Sequence, residues 1–149
     1  MFNLAVFMRL INYKYYMHLL VLAHKSMGVS FIGRPEYIDN HAKIDPSGGV
    51  ILGNNIVIST NVIILTHDYS FIRKMIAKNQ KFTEDMHYLA FKPVEIGDDT
   101  FIGAGAIILP GSKVGKCCII GAGAVVKGDF DDYSIIVGTP ARRIKDIRE

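Results

Sequence analysis

Aliphatic residues return at every sixth position along most of this chain: Ile38, Ile44, Val50, Ile56 and Val62, then, after a gap, Ile96, Ile102, Ile108, Val114, Ile120 and Val126. A helix repeats its buried face about every 3.6 residues and a strand every two, so a period of six belongs to a chain that coils back on itself. The next residue is often glycine (Gly97, Gly103, Gly115, Gly121), and the residue two before is usually small, as at Ala42, Thr60, Ala106, Ser112, Cys118 and Ala124. Residues two apart on a strand share a face, so aliphatic and small residue both point into one narrow core. Asn54, Asn55, Asp98 and Asp99, with the glycines, suit the positive φ of tight corners. Each hexad therefore predicts one short strand plus one corner, with stacked coils pairing in parallel about 4.8 Å apart. The fold expected is an all-β solenoid.

Three segments depart from the repeat. Residues 1–28 carry Phe2, Leu4, Phe7, Leu10, Ile11, Tyr15, Leu19 and Leu22 interrupted by Arg9, Lys14, His18 and Lys25, which predicts one amphipathic helix ending near Gly28. Its uncharged run is short of the roughly 20 apolar residues a membrane span needs, and no small-residue cleavage site follows it. It either packs across the open end of the solenoid or, through residues 1–27, lies peripherally on a membrane. Residues 68–95 form a long insertion at a solenoid corner. Its Phe71, Ile76, Phe82 and Tyr88 need a surface to cover, and a partner subunit would supply one. Residues 133–149 form a C-terminal tail to the repeat domain, which spans 29–149.

Composition narrows the partners. A chain of 149 residues is one domain, and its net charge of +3 gathers late, at Arg142, Arg143, Lys145 and Arg148. That suits a phosphate-bearing ligand rather than nucleic acid, which would call for a broad basic face with interleaved aromatics. Cys117 and Cys118 are adjacent with no second pair elsewhere, so one reads as a small core residue and the other as a surface thiol. Nothing points to an oxidising compartment, and a cytoplasmic setting is expected, with peripheral attachment at the inner membrane face as the alternative.

The run IGDDTF IGAGAI ILPGSK VGKCCI IGAGAV VKGDFD, closed by IVGTPARRI, resembles the hexapeptide-repeat acyltransferases, and their sugar O-acetyltransferase branch in particular. The likeness covers about residues 29–147. It implies three hexads per triangular coil, a left-handed parallel β-helix, and a homotrimer with active sites between subunits. It also implies acetyl-CoA as co-substrate, a saccharide acceptor and no metal.

The same resemblance assigns residues. His67, in I-L-T-H-D-Y-S at the last corner before the insertion, matches the catalytic histidine. An alcohol is a poor nucleophile while protonated, and an imidazole, titrating near neutrality, can take its proton as the oxygen attacks a thioester. The group orienting this histidine is left open among Asp68, Glu84, Asp85 and a backbone carbonyl. Asp39 or its neighbour Asn40 falls at the acceptor side, where the family often has Asn, and Asp68 and Tyr69 are further acceptor contacts. Gly103, Ala104 and Gly105 resemble the segment whose amide faces the thioester, and Ala122 the amide contacting the pantetheine arm; repeat geometry alone would also place small residues there. Arg142 matches the basic residue after Pro-Ala, and Lys127 and Lys145 resemble further contacts to the nucleotide end of CoA. His18, His24, His41 and His87 receive no role.

Four other functions compete with this one. N-acetylation of an amino group on a nucleotide-linked sugar would use the same solenoid and CoA site. Serine acetyltransferases have a large N-terminal domain that the short helix does not resemble. A zinc hydratase would need three converging histidines, and His41, His67 and His87 lack the close paired spacing of such sites. A purely structural solenoid would give no reason for the apolar insertion or the basic tail.

Overall fold

The computed structural model describes residues 12–149, so the part of the expected helix over 1–11 lies outside the described residues. From Asn12 onward the chain forms a helix over Tyr13–Ser26, capped by the Asn12 side chain, which accepts from the Tyr15 amide at 3.2 Å. It ends at Met27, and Gly28, at φ +101°, turns the chain into the first strand. Tyr16 and Met17 are buried against β1 (Val29–Phe31) and β2 (Tyr37–Ile38), so this helix covers the first coil. Tyr15, Leu19 and Leu22 stay exposed on its other side.

The remaining strands are β3 (Lys43–Ile44), β4 (Val50–Leu52), β5 (Val57–Ile58), β6 (Ile63–Ile64), β7 (Val94–Ile96), β8 (Phe101–Ile102), β9 (Ile107–Ile108), β10 (Lys113–Val114), β11 (Ile119–Ile120), β12 (Val125–Val126), β13 (Asp129–Phe130), β14 (Ser134–Gly138) and β15 (Ala141–Asp146). They stack into three sheets, ordered β1-β4-β7-β10-β13, β2-β5-β8-β11-β14-β15 and β3-β6-β9-β12. All pairs are parallel except the closing β14–β15 hairpin. The result is a left-handed parallel β-helix, a three-sided prism whose edges are the corners between sheets.

The core consists of ladders of like residues at the same register. Ile38, Ile58, Ile102, Ile120 and Ile136 stack on one side, Ile44, Ile64, Ile108 and Val126 on another, and Phe31, Leu52, Ile96, Val114 and Phe130 on the third. This corrects the unbroken period of six over 38–62. Ile38 pairs with Ile58, an offset of 20 residues, whereas Ile102 pairs with Ile120, an offset of 18. Two extra residues at the corner 45–49 shift the register, so Leu52, Ile58 and Ile64 take the aliphatic slots. Val50, Ile56 and Val62 move to the inward slot two residues earlier, and all six remain buried because both slots face the core. Thr60 thereby leaves the core for the edge, where its carbonyl accepts from the Gly105 amide.

The corners use the expected residue types in two ways. Asn55 and Asp99 take positive φ, at 52° and 55°, whereas the side chains of Asn54 and Asp98 bridge coils. The Asp98 carboxylate accepts from the Asn54 amide at 2.7 Å, and the Asn54 side chain accepts from the Arg34 amide at 2.9 Å. Cys118 is buried, and Cys117 serves as a corner residue at φ 53°.

Candidate active site

The two corners lengthened most, 45–49 and 65–93, lie on the same edge of the prism, stacked one above the other between the third sheet and the first. The first brings Asp45 and the second His67. The Asp45 amide bonds the Ile64 carbonyl at 2.9 Å, which sets its side chain beside Thr66 and His67 on the next coil. Gly48 makes the close approach possible, because a Cβ there would lie 2.4 Å from the Thr66 carbonyl oxygen.

The Asp45 carboxylate gathers five donors. Oδ2 receives the Thr66 amide at 3.0 Å, the Thr66 hydroxyl at 2.7 Å and His67 Nδ1 at 2.7 Å, while Oδ1 receives the Ser47 amide at 3.0 Å and the Ser47 hydroxyl at 2.6 Å. Burial pushes the carboxyl pKa up, but the Ser47 and Thr66 donors outweigh it and hold Asp45 ionised, well below the usual carboxylate range. An ionised acceptor at Nδ1 puts the proton of a neutral imidazole there, leaving Nε2 with its lone pair free. Nε2 has no protein partner among the described residues.

The insertion fixes the other side of His67. Its returning strand pairs residue 67 with Phe91, and the flanking bonds, Asp68 amide to Ala90 carbonyl and Lys92 amide to Thr66 carbonyl, are both 2.8 Å. Rings of Tyr69 and Phe91 stand 6.0 and 6.2 Å from the imidazole. Beyond them run a helix (Ser70–Ala77) and a 3-10 turn (Glu84–Ala90), held together by Phe71 against Phe82 and by His87 between Phe82 and Tyr69. Phe71 and Phe82 thus cover each other, whereas Ile76 and Tyr88 are 54% and 70% exposed and still open to a partner.

Asp45 is therefore the orienter, and the candidates weighed from sequence are not. The Asp68 carboxylate instead closes the turn into the insertion helix, accepting from the Ser70 amide at 2.7 Å and hydroxyl at 2.8 Å. Those two bonds lower its pKa, with smaller contributions from Lys127 and Lys74. Glu84 and Asp85 lie on the 3-10 turn. A sequence signal for Asp45 existed in the two-residue lengthening of its corner, which only the shifted register reveals.

A second edge, between the second and third sheets, carries a different set. Asn40, Thr60, Ala104 and Ala122 occupy equivalent corners, linked by Gly105 amide to Thr60 carbonyl and Gly123 amide to Ala104 carbonyl, each 2.9 Å. The amides of Ala104 and Ala122 donate to no protein acceptor among the described residues. Asp39 is buried here, and its carboxylate accepts from Tyr37 Oη at 2.7 Å and the His41 amide at 2.9 Å, with His41 Nδ1 at 3.0 Å. Burial raises its pKa, and these partners together with Thr60 bring it down to about 2. The expected acceptor contact at Asp39 thus meets a carboxylate already engaged in holding its own corner, leaving Asn40 as the freer side chain.

The C-terminal hairpin joins this second edge, since the Thr139 hydroxyl bonds the Gly123 carbonyl at 3.3 Å. Arg142 and Lys145 are exposed on β15 and make no ion pair among the described residues, whereas Arg143 and Arg148 are both bound to Asp146. Lys127 is not with them. It stands on the β12–β13 corner and lines the cleft of His67.

Among the described residues no three His, Cys, Asp or Glu side chains cluster to hold a metal, and no helix is long and apolar enough to cross a membrane.

Parallel hexad coils with an Asp–His pair at a lengthened corner define a class, the hexapeptide-repeat β-helix with an open polar edge. Residues 93–128 match the family described as bacterial transferase hexapeptide (six repeats), and residues 42–66 match the hexapeptide repeat of succinyl-transferase. The chain belongs to the hexapeptide-repeat acyltransferase family. It is 29% identical over 119 residues to WbbJ of Escherichia coli (strain K12), provisionally named a lipopolysaccharide biosynthesis O-acetyl transferase, covering 79% of this chain and 61% of that one. A maltose O-acetyltransferase from Clostridium difficile 630 superposes with a TM-score of 0.58 at 25% identity, over 83% of this chain and 73% of that one. A galactoside acetyltransferase in complex with coenzyme A superposes with a TM-score of 0.57 at 28% identity, over 71% and 49%. The chain spans less than two thirds of the curated relatives it matches, 61% in the case of WbbJ.

Proposed function

We propose that this protein is an acetyl-CoA-dependent O-acetyltransferase acting on a sugar or polysaccharide precursor, with His67 as general base. The observation that carries this reading is the 2.7 Å contact between Asp45 and His67 Nδ1, which leaves Nε2 free and aimed away from its holder. Nε2 takes the proton of an acceptor hydroxyl while its oxygen attacks the thioester carbonyl. The carbonyl oxygen gains negative charge, which an unoccupied amide such as that of Ala104 stabilises. Collapse of the adduct releases the CoA thiolate, and His67 returns its proton to that sulfur.

The two edges explain why a trimer belongs to this proposal. His67, Asp68, Tyr69 and Lys127 lie on one edge of a chain and Asn40, Ala104, Gly105, Ala122 and the Arg142 hairpin on another. A neighbour packed side to side brings one chain's base against the next chain's amide row, with Arg142 and Lys145 further along for the CoA phosphates. Exposed Ile76 and Tyr88 of the insertion would then be covered by that neighbour. The relative with bound coenzyme A and the sugar acetyltransferase relatives support donor and acceptor class.

The same reading sets the protein in the cytoplasm, where acetyl-CoA is made. Exposed Tyr15, Leu19 and Leu22 beside Lys14 and Lys25 support peripheral contact with the inner membrane face, which vesicle sedimentation would test.

The decisive experiment follows release of free thiol from acetyl-CoA in the presence of sugar acceptors, with light scattering for mass. Acceptor-dependent release by a trimer is expected. A monomer that neither binds nor cleaves acetyl-CoA would refute the proposal.

A further inference from the structure

The cleft beside His67 carries more positive charge than a neutral sugar gives reason for. It is a cavity of about 310 Å³ between the insertion and the corners above, and His67, Asp68, Phe71, Lys74, Lys92 and Lys127 share its lining. The three lysines come from three places: the insertion helix, the strand returning from the insertion, and the β12–β13 corner two coils above His67. None of them forms an ion pair among the described residues, although Lys113 and Lys116 on the neighbouring surface do. Asp68 is the single carboxylate facing them, and both its oxygens are committed to Ser70. Lys92 is not a free arm, because its stem packs over Gly111, where an added Cβ would stand 3.3 Å from Cδ.

Three ammonium groups around one small cavity repel one another, and low-dielectric walls concentrate their field on whatever enters. The ionised Asp68 carboxylate offsets one of the three charges, and an anionic ligand would offset the excess that is left. CoA supplies phosphates, but the pantetheine arm keeps them an arm's length from the thioester carbonyl, and that carbonyl must sit at His67. An anion held in the same cavity as the base is better placed on the acceptor.

We propose that this cleft selects an acceptor with its own negative charge, a phosphate or a carboxylate on or next to the sugar bearing the reacting hydroxyl, held by Lys74, Lys92 and Lys127. The proposal rests on the acetyltransferase reading and gives Lys127 an acceptor-side role in place of the CoA contact that the family resemblance implies. Lysine suits the task as a point charge that accommodates either phosphate or carboxylate.

The test uses the intact protein and a panel of glucose 1-phosphate, UDP-glucose and glucuronic acid against methyl galactoside and maltose. Binding of each is measured by calorimetry without acetyl-CoA, and acetyl transfer by thiol release. Charged acceptors are expected to exceed neutral ones by about 10-fold or more in affinity and in kcat/KM, an advantage that shrinks with salt. Preference for the two phosphates over glucuronic acid, or the reverse, identifies which anion is recognised. Lys74→Met and Lys92→Met should raise KM for the charged acceptor and leave KM for acetyl-CoA unchanged, with Lys74→Arg and Lys92→Arg restoring part of the loss. Neutral sugars matching the charged ones, no charged member binding, or a rise in acetyl-CoA KM instead would each overturn the proposal. If acetyl-CoA itself neither binds nor reacts while the anions bind, it is the acetyltransferase reading that fails and the anion site that stands.

Discussion

Two aspartate–histidine pairs stand on neighbouring edges of this prism, and they differ in what the aspartate serves. Asp39 and His41 are two residues apart, the contact is 3.0 Å, and the His41 side chain is 65% exposed. The carboxylate there closes a turn, also binding the His41 amide and the Tyr37 hydroxyl. Asp45 and His67 are 22 residues apart, on successive coils, and the contact is 2.7 Å. Here the turn residues Ser47 and Thr66 hold the carboxylate, and the insertion holds the histidine from the other side. A local pair is what a corner makes for itself. A pair assembled from two coils, at the two corners lengthened most beyond the repeat among the described residues, is arranged for something outside the chain.

Substitutions should separate the two pairs. His67→Ala should lower turnover by about 10² to 10⁴, the usual contribution of a general base, with acetyl-CoA affinity nearly unchanged. His41→Ala should leave turnover close to the parent value; equal losses in the two variants would erase the distinction. Asp45→Asn comes next, with an expected loss of about 10- to 100-fold, as for other partners that orient a functional histidine. It should fall on kcat rather than on acetyl-CoA binding, and steady-state kinetics would show the split.

Arg142→Ala sharpens the contrast between edges. A contact to a distant phosphate acts on ground and transition states alike, so KM for acetyl-CoA should rise while kcat holds. The effect should vanish for a short thioester lacking the nucleotide. If both donors suffer equally, Arg142 does not bind the nucleotide end.

The smallest effect concerns Asp39, whose expected role is stability. Its folded pKa of about 2 lies below the ordinary carboxylate value, so its ionised form stabilises the fold above about pH 4, and that contribution is lost as pH falls toward 2. Asp39→Asn should therefore unfold at lower urea than the parent at pH 7, by about 1–3 kcal/mol, with the gap narrowing at pH 3. A gap that is constant with pH would remove the charge from the explanation.

The hexads made the solenoid legible because each aliphatic residue reports one turn of the same corner, and errors in register cost nothing to that conclusion. They also hid the most important residue. An unbroken count through Val50, Ile56 and Val62 assumes a regular corner at 45–49, and it is the two extra residues there that bring Asp45 under His67. Sequence distance misled in the opposite direction at Asp68, adjacent to His67 yet spent on Ser70. Glycine and alanine at 103–105 and 121–123 follow from repeat geometry, so their type carried no signal of the free amides at Ala104 and Ala122. Which residues meet across two chains is written in neither pattern, because the repeat constrains only what stacks within one.

In the proposed mechanism Asp45 fixes the proton of His67 on Nδ1 and leaves Nε2 as the base. Two-bond proton–nitrogen correlation spectra, recorded on the intact protein with the imidazole neutral, report which nitrogen carries the proton. A single Nδ1–H tautomer with Nε2 bare is expected in the parent protein, giving way to mixed tautomers in Asp45→Asn. An Nε2–H tautomer in the parent protein would contradict it, since that nitrogen could then take no proton from an acceptor.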